Sequence, residues 1–265
     1  MTKIRLSQLV AGASFSLCLA IGSAEATVDH TYVSGRGTDT GGCVTPATAC
    51  RTFAYAITQT AAAGEIIAID AANYAPVTIS QSISIVADAG GPAGIITPTG
   101  NAITIKAGAA VNLRGLTLDG EGTGDSGIVL SANPHASLTI SDCFVRHFQN
   151  SGIRLGGNLN ASILNSVMND NGIGCQAGPG SDCAGLAVVA VYQLPASITV
   201  RNSVANDNAV GFSVLGQIVS FDATVTFADS MAAGNSKYGI LINGPSDVSP
   251  LGHWLCEQNN RRWPQ

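Results

Sequence analysis

Between residues 137 and 242 the chain repeats one pattern of apolar and polar positions four times. The copies begin SLTISDCFVRHFQNSGIRL (137–155), ASILNSVMNDNGIG (161–174), SITVRNSVANDNAVGFSV (197–214) and TVTFADSMAAGNSKYGILI (224–242). Each holds an alternating strand, an Asn/Asp turn, a second short strand, a polar bend rich in Asn, then glycine and an apolar strand. Side chains alternate across a strand, so Leu138 and Ile140, Ile198 and Val200, and Val225 and Phe227 share one face. Self-similarity at about 20–50 residues signals a solenoid, a propeller or an array. No copy carries a helical run, and Thr, Val and Ile dominate, which excludes a helical solenoid. A propeller blade needs about 40 residues, more than the basic copy offers. The pattern predicts an all-β solenoid of parallel strands that buries its alternating face in one continuous core.

The glycine that opens the last strand is read at Gly152, Gly172, Gly211 and Gly239, with residues 175–186 as an insertion. Asp142, Asn165, Asn202 and Asp229 share the turn position. Short polar side chains tolerate the left-handed conformation there, and stacked coil on coil they form a ladder of side-chain hydrogen bonds. Cys143, Ser166, Ser203 and Ser230 follow at the inner bend. The Asn-Asp-Asn runs at 169–171 and 206–208 recur with the repeat and are read as structural bends. This constellation resembles the right-handed parallel β-helix proteins of the pectate-lyase-like superfamily. The resemblance covers nearly the whole mature chain and implies a single-stranded right-handed parallel β-helix. That fold hosts many functions, so it implies no particular reaction.

The chain divides into four stretches. Residues 1–26 read as a secretory leader, with Lys3 and Arg5 ahead of an apolar run and Ala24-Glu25-Ala26 as the cleavage site after Ala26. That run is too short to span a bilayer, and no other stretch approaches ~20 apolar residues. Residues 27–70 hold a lead-in strand, a Gly-rich loop and a helix over 52–60, with Phe53, Ala56 and Ile57 on one face. The TYVSGRGTDTGGC…CRTFAYA stretch resembles the N-terminal cap of secreted β-helix proteins. Residues 71–249 hold the coils, with Gln81 and Gly115 read at the turn position of the early ones. Residues 250–265 carry no strand pattern but both tryptophans, Trp254 and Trp263. They read as a poor cap or foreign ending, or else as a genuine cap or dimer contact; the sequence carries no signal for oligomeric state.

Composition adds two constraints. Loss of Lys3, Arg5 and Glu25 takes the formal charge from −5 to −6, the wrong sign for a nucleic-acid partner. Six cysteines remain after cleavage, and an exported chain favours disulfides. Cys43 with Cys50 and Cys175 with Cys183 each close a short polar loop. Neither loop offers the further soft ligands that a metal site needs. Cys143 reads as a buried thiol, and Cys256 has no assigned partner.

The resemblance directs the search for chemistry to the outward positions of the strand after the bend, read at Val129, Arg154, Gly174, Ser213 and Leu241. They hold one arginine and no acid. Hydrolases on this fold use two carboxylates, and none of their motif sets occurs. Lyases use a base and calcium on a uronate carboxyl. For that chemistry the best candidates are Asp119, Glu121 and Asp125 as calcium ligands on a Gly-rich loop, with Arg154 as base or clamp. The plain alternative is a solvated bend and a surface arginine. His147, beside Arg146, reads as a bend residue. Two functions stay open: a non-catalytic module that binds a glycan or a partner, and a calcium-assisted polysaccharide (uronate) lyase or related carbohydrate-active enzyme.

Overall fold

The computed structural model describes residues 27–251 apart from 88–90, 92, 107, 176–181, 191–193, 217–222 and 244–246. The leader read over 1–26 and all of the tail beyond Leu251 lie outside the described residues. The described chain is an all-β parallel solenoid of about five turns with one α-helix. Every strand pair is parallel, so hydrogen bonds run from coil to coil along three stacks. Stack I contains Asn73–Tyr74, Ala93–Ile96, Leu116–Asp119, Phe144–Arg146 and Val167–Asn169, and bridges at Val204 and Met231 continue it. Stack II contains Val77–Ile79, Ile103–Ile105, residues 128–130 and 153–156, Ala184–Ala190, Val210–Gly216 and Tyr238–Asn243. Stack III runs from Val28–Val33 and Thr60–Ala68 through Ile83–Ala87, Ala110–Arg114, residues 137–141 and 159–164 to Ala196–Arg201, Ala223–Ala228 and Asp247–Leu251.

The alternation in the sequence becomes one continuous core. Leu130, Leu155, Val188 and Val214 stack in register from stack II, and Ile140, Ile163 and Val200 from stack III with Leu138 on the same face, all essentially inaccessible to solvent. Each fully buried aliphatic side chain contributes about 1.5–3 kcal/mol, so this core dominates stability. One end is covered by the helix Phe53–Gln59, which buries Phe53, Ala56 and Ile57. Its N-cap Thr52 accepts from the Tyr55 N–H, while Asp39 accepts from the N–H groups of Arg51 and Thr52. The Cys43–Cys50 disulfide (Cα–Cα 5.3 Å) ties the loop ahead of it, and Cys175–Cys183 (5.8 Å) ties the loop between stacks I and II. Cys143 is a buried free thiol that burial pushes up to about 11.

Three ladders hold the turns. Asp142, Asn165, Asn202 and Asp229 all have φ between 49° and 55°. Asn165 Nδ2 donates to Asp142 Oδ1 (3.2 Å), and Asn202 Nδ2 to Asn165 Oδ1 (3.4 Å), on the exposed side. Just inside, the backbone N–H groups of Cys143, Ser166 and Ser203 donate to the Oγ of the serine one coil on, each at 3.2 Å. A third ladder is fully buried at the bend: Asn171 Nδ2 donates to Asn208 Oδ1 (3.0 Å), and Asn208 Nδ2 to Asn235 Oδ1 (3.3 Å). Asn208 also accepts from the Asn171 N–H and donates to the Met168 carbonyl. Glycine follows this ladder because nothing larger fits: a Cβ on Gly185 would lie 2.9 Å from both Asn208 Nδ2 and the Gly211 carbonyl oxygen.

Three expectations change. The glycine of the third coil is Gly185, in register between Gly152 and Gly211, whereas Gly172 sits in the preceding bend at φ +80°. The outward position read as Gly174 is therefore Ala187. Gln81 is not at the Asn turn. It lies between stacks II and III, where its amide donates to the Ile57 and Thr60 carbonyls at the end of the helix. Strands in all three stacks alternate alike, so a short Ser-Gln-Ser bend imitates the turn; Gly115, at φ +72°, does occupy the turn position. The chain beyond Asn243 also adds a further strand, Asp247–Leu251, paired to Ala223–Ala228.

The ladders differ in burial, and that sets the expected cost of breaking them. Asn208→Ala strands buried backbone groups and should destabilise by about 2–4 kcal/mol. Asn202→Ala loses mainly an exposed bond and its tolerance of the left-handed conformation, about 1 kcal/mol. Chemical denaturation of the two variants checks the order, and equal losses would contradict it.

Candidate functional site

Polar side chains gather where stack I ends and its bend begins. In-register pairing places Asp119, Arg146 and Asn169 in one outward row. Asn206 extends the row: its N–H donates to Asn169 Oδ1 (3.2 Å), and its own Oδ1 accepts from the Ala233 N–H (2.8 Å). Within the row Asp119 organises its neighbours. Its Oδ2 accepts from Arg146 Nε at 2.8 Å, and its Oδ1 bonds His147 Nδ1 at 3.0 Å and the Glu121 N–H at 2.9 Å. The carboxylate side chain is only 14% exposed, whereas Arg146 and His147 are 41% and 38% exposed. Arg146 also lies over the Phe144 ring, 5.3 Å from its centroid, so its plane is held from two sides.

Burial alone would raise the Asp119 pKa. The Glu121 N–H, His147 and Arg146 outweigh it and hold the carboxyl below its usual value. An ionised carboxylate can only accept, so His147 carries its proton on Nδ1. In the neutral ring Nε2 is then an acceptor. His147 adopts φ +58°, in a bend column that continues as Asp170, Asp207 and Gly234, all with positive φ. The backbone fixes this position as firmly as the hydrogen bond does. Beneath it, Gly120 N–H donates to the Arg146 carbonyl (3.0 Å) and Gly122 N–H to the His147 carbonyl (2.8 Å). A Cβ on Gly120 would collide with the His147 carbonyl and Phe148. Gly120 and Gly124 thus serve a close backbone approach that supports the bend, whereas Gly122 serves a positive φ of 80°.

The sequence candidates separate in space. Asp119 joins Arg146 and His147, while Glu121 and Asp125 stand exposed on the loop. Among the described residues no three His, Cys, Asp or Glu side chains converge to hold a metal. With both Asp119 oxygens engaged, Asp119, Glu121 and Asp125 as placed do not fit a calcium ion. Arg154 does not meet this loop as its partner. Its Nε donates to Asp182, whose carbonyl also accepts from Ser151 Oγ, and Asp182 is presented by the disulfide at Cys183. The pair of Arg146 and His147 was open to sequence reasoning through one signal. His147 occupies the column of Asp170, Asp207 and Gly234, where a histidine departs from what the turn favours.

Asp119 also gives a pH test. A carboxyl whose folded pKa is depressed stabilises the fold above its unfolded value, near 4, and loses that contribution as pH falls through the folded value. Asp119→Asn should therefore be less stable than the parent at neutral pH, with the difference shrinking below about pH 4. Thermal melts across pH 2–7 measure this, and a pH-independent difference would show that the carboxylate's charge is not what matters.

No family model and no curated protein matches the chain. Among solved structures, the fold is similar to the pectate lyase Pel9A, with 14% identity and a TM-score of 0.52 over 80% of this chain. It is also similar to an alginate lyase from Paenibacillus sp. str. FPU-7, with 13% identity and a TM-score of 0.48 over 82% of this chain. The match covers 56% of the length of the pectate lyase and 99% of the alginate lyase. At these identities the likeness is one of fold: a parallel β-solenoid of the pectate-lyase-like type.

Proposed function

We propose that this chain is an exported glycan-binding β-solenoid, with the glycan lying along the row Asp119, Arg146, Asn169 and Asn206 and Arg146 and His147 as its central contacts. The observation that carries this reading is Asp119, which fixes a guanidinium and an imidazole side by side while leaving both accessible. Donors held in place before binding lose little freedom on binding, which is where affinity for a flexible polymer is otherwise lost. Parallel strands repeat at about 4.8 Å, so the row offers polar groups at regular steps to a hydroxyl-rich chain. The Asn169 and Asn206 side-chain oxygens serve the neighbouring coil, and their side-chain Nδ2–H donors are not part of those bonds. The name of the structurally similar pectate lyase supports a polysaccharide as the ligand class.

Two disulfides support export, in keeping with a leader at 1–26. We take the winding as right-handed, as crossovers between parallel strands are in about 98% of cases. The cap over 27–70 and the coils from 71 onward form one solenoid domain.

A second reading, a polysaccharide lyase, is favoured by the Asp119–His147 pair. A histidine oriented by a carboxylate presents Nε2 as a general base, and Arg146 beside it suits a uronate carboxylate. The chain from Thr27 should be tested on glycan arrays, and on polyuronates with and without calcium. Arg146→Ala and His147→Asn should each weaken binding about tenfold, or ~1.4 kcal/mol, in chains that circular dichroism shows folded, with a melting temperature lowered because Asp119 loses one partner; Asn keeps the positive φ. Arg154→Ala should leave binding as it was. Unsaturated product that disappears in His147→Asn would make the protein a lyase. Neither binding nor product from a folded chain would overturn both readings.

A further inference from the structure

The outward face of stack I carries a second row beside the polar one. Alternate residues of a strand share a face, so the positions two before Arg146, Asn169, Asn206 and Ala233 also point outward. They are Phe144, Val167, Val204 and Met231, held in register by the strand pairing and by the bridges that continue it. All four are partly exposed, whereas Val145, Met168, Ala205 and Ala232 between the rows are buried. One row is thus apolar on four successive coils, and the other offers a guanidinium and two amides on the first three. The rows lie about 6.6 Å apart across the strands and repeat at about 4.8 Å along the axis. At the first coil the Arg146 guanidinium already lies over the Phe144 ring, so the bare apolar surface begins at Val167. The nearby charges do not suit a polyanion. Asp119 already answers Arg146, and Asp170 and Asp207 follow the two amides directly at the bend.

We infer that the glycan on this face is a neutral, extended chain of equatorially linked pyranoses, one ring per coil, with its C–H faces on the apolar row and its edge hydroxyls on the polar row. This deepens the glycan-binding reading of stack I and rests on it. A pyranose whose substituents are all equatorial has C–H bonds on both faces and hydroxyls round its edge. That division matches an apolar row flanked by donors. A 1,4 link between equatorial positions keeps successive rings in one ribbon and advances by nearly one coil height per ring. Each ring is turned over relative to the last, but both its faces carry C–H bonds, so every ring still meets the apolar row. An axial link winds the chain into a helix, which leaves a straight face after a ring or two. A uronate on every ring would bring one carboxylate per coil toward Asp170 and Asp207 with only Arg146 to answer it, and like charges set side by side are costly. Covering the apolar row supplies binding free energy, while the amides fix which edge of the ribbon faces the bend. The paired rows end at Met231, so the length recognised is one ring for each coil from Phe144 to Met231.

Calorimetric titration of the chain from Thr27 to Gln265 tests this with β-1,4-linked gluco- and xylo-oligosaccharides of increasing length. Oligosaccharides of α-1,4-linked glucose and of galacturonate serve as controls at the same lengths. Affinity for the β-linked series should rise several-fold with each ring up to the tetrasaccharide and level off beyond it. Both control series should bind about tenfold more weakly at equal length. Val204→Asp puts a charge into the apolar row and should remove the gain beyond the disaccharide, in a chain that circular dichroism shows folded. Val204→Thr, which nearly keeps the side chain's shape, should weaken the tetrasaccharide several-fold and decides the matter if the aspartate variant does not fold. Equal affinity for either control series, no dependence on length, or folded Val204 variants that bind as the parent does would each overturn this inference while leaving the glycan reading in place. A folded chain that binds no glycan of any kind would overturn the reading beneath it as well.

Discussion

In-register parallel stacking is the constraint on which the rest of this structure depends. Hydrogen bonds run between coils, so each residue meets its counterpart one coil away at about 4.8 Å. A side chain that cannot stack on its counterpart weakens the interface between those two coils, since stability is a sum over neighbouring repeats. The inner positions answer with like on like: Val188 on Val214, Ser166 on Ser203, Asn171 on Asn208. Amides suit such ladders because each carries both a donor and an acceptor, so one residue type satisfies its own copy above and below. The apolar rows supply most of the free energy, and the polar ladders fix which residue faces which.

The candidate site is where this rule is broken on the outward side. Along one row a carboxylate is followed by a guanidinium and then by amides. Unlike groups replace like groups, and charge complementarity replaces the ladder. Asp119 makes the substitution stable, because Arg146 and His147 together satisfy what an amide would have satisfied alone. Arg154 and Asp182 repeat the solution elsewhere, with a disulfide-closed loop supplying the acid. Such departures concentrate where loops leave the stacks, which is also where a solenoid tolerates change.

Much of this fold was legible in the sequence. Strand alternation, the Asn/Asp turn and the small residue after it are each dictated by local chemistry, and four copies reinforce one another. The register of the third coil was less legible, because Gly172 and Gly185 both follow apolar and polar runs of the right kind. Only the close approach of Asn208 to Gly185 distinguishes them, and that contact joins residues far apart in sequence. Gln81 failed for the related reason that all three stacks share the same alternation. The site was less legible still. Asp119 was visible as one acid on a loop, but its partners lie one coil away, and Arg154 stood out only because its strand lacked other charges.

The long third coil shows how these levels fit together. The steps between successive turn residues Asp142, Asn165, Asn202 and Asp229 are 23, 37 and 27 residues, yet the turn ladder continues from Asp142 through Asn202 and the serine ladder through Ser230. The extra residues lie between the bend at Asn171 and the strand at Ala184, closed by Cys175–Cys183. Entropy lost on closing a loop grows only slowly with its length, so the insertion costs the stacks little. The disulfide limits that cost further and, through the neighbouring Asp182, delivers a charge to Arg154. The stacks therefore keep register while loops carry new side chains to their rims, and chemical differences among coils belong at those rims rather than in the repeat itself.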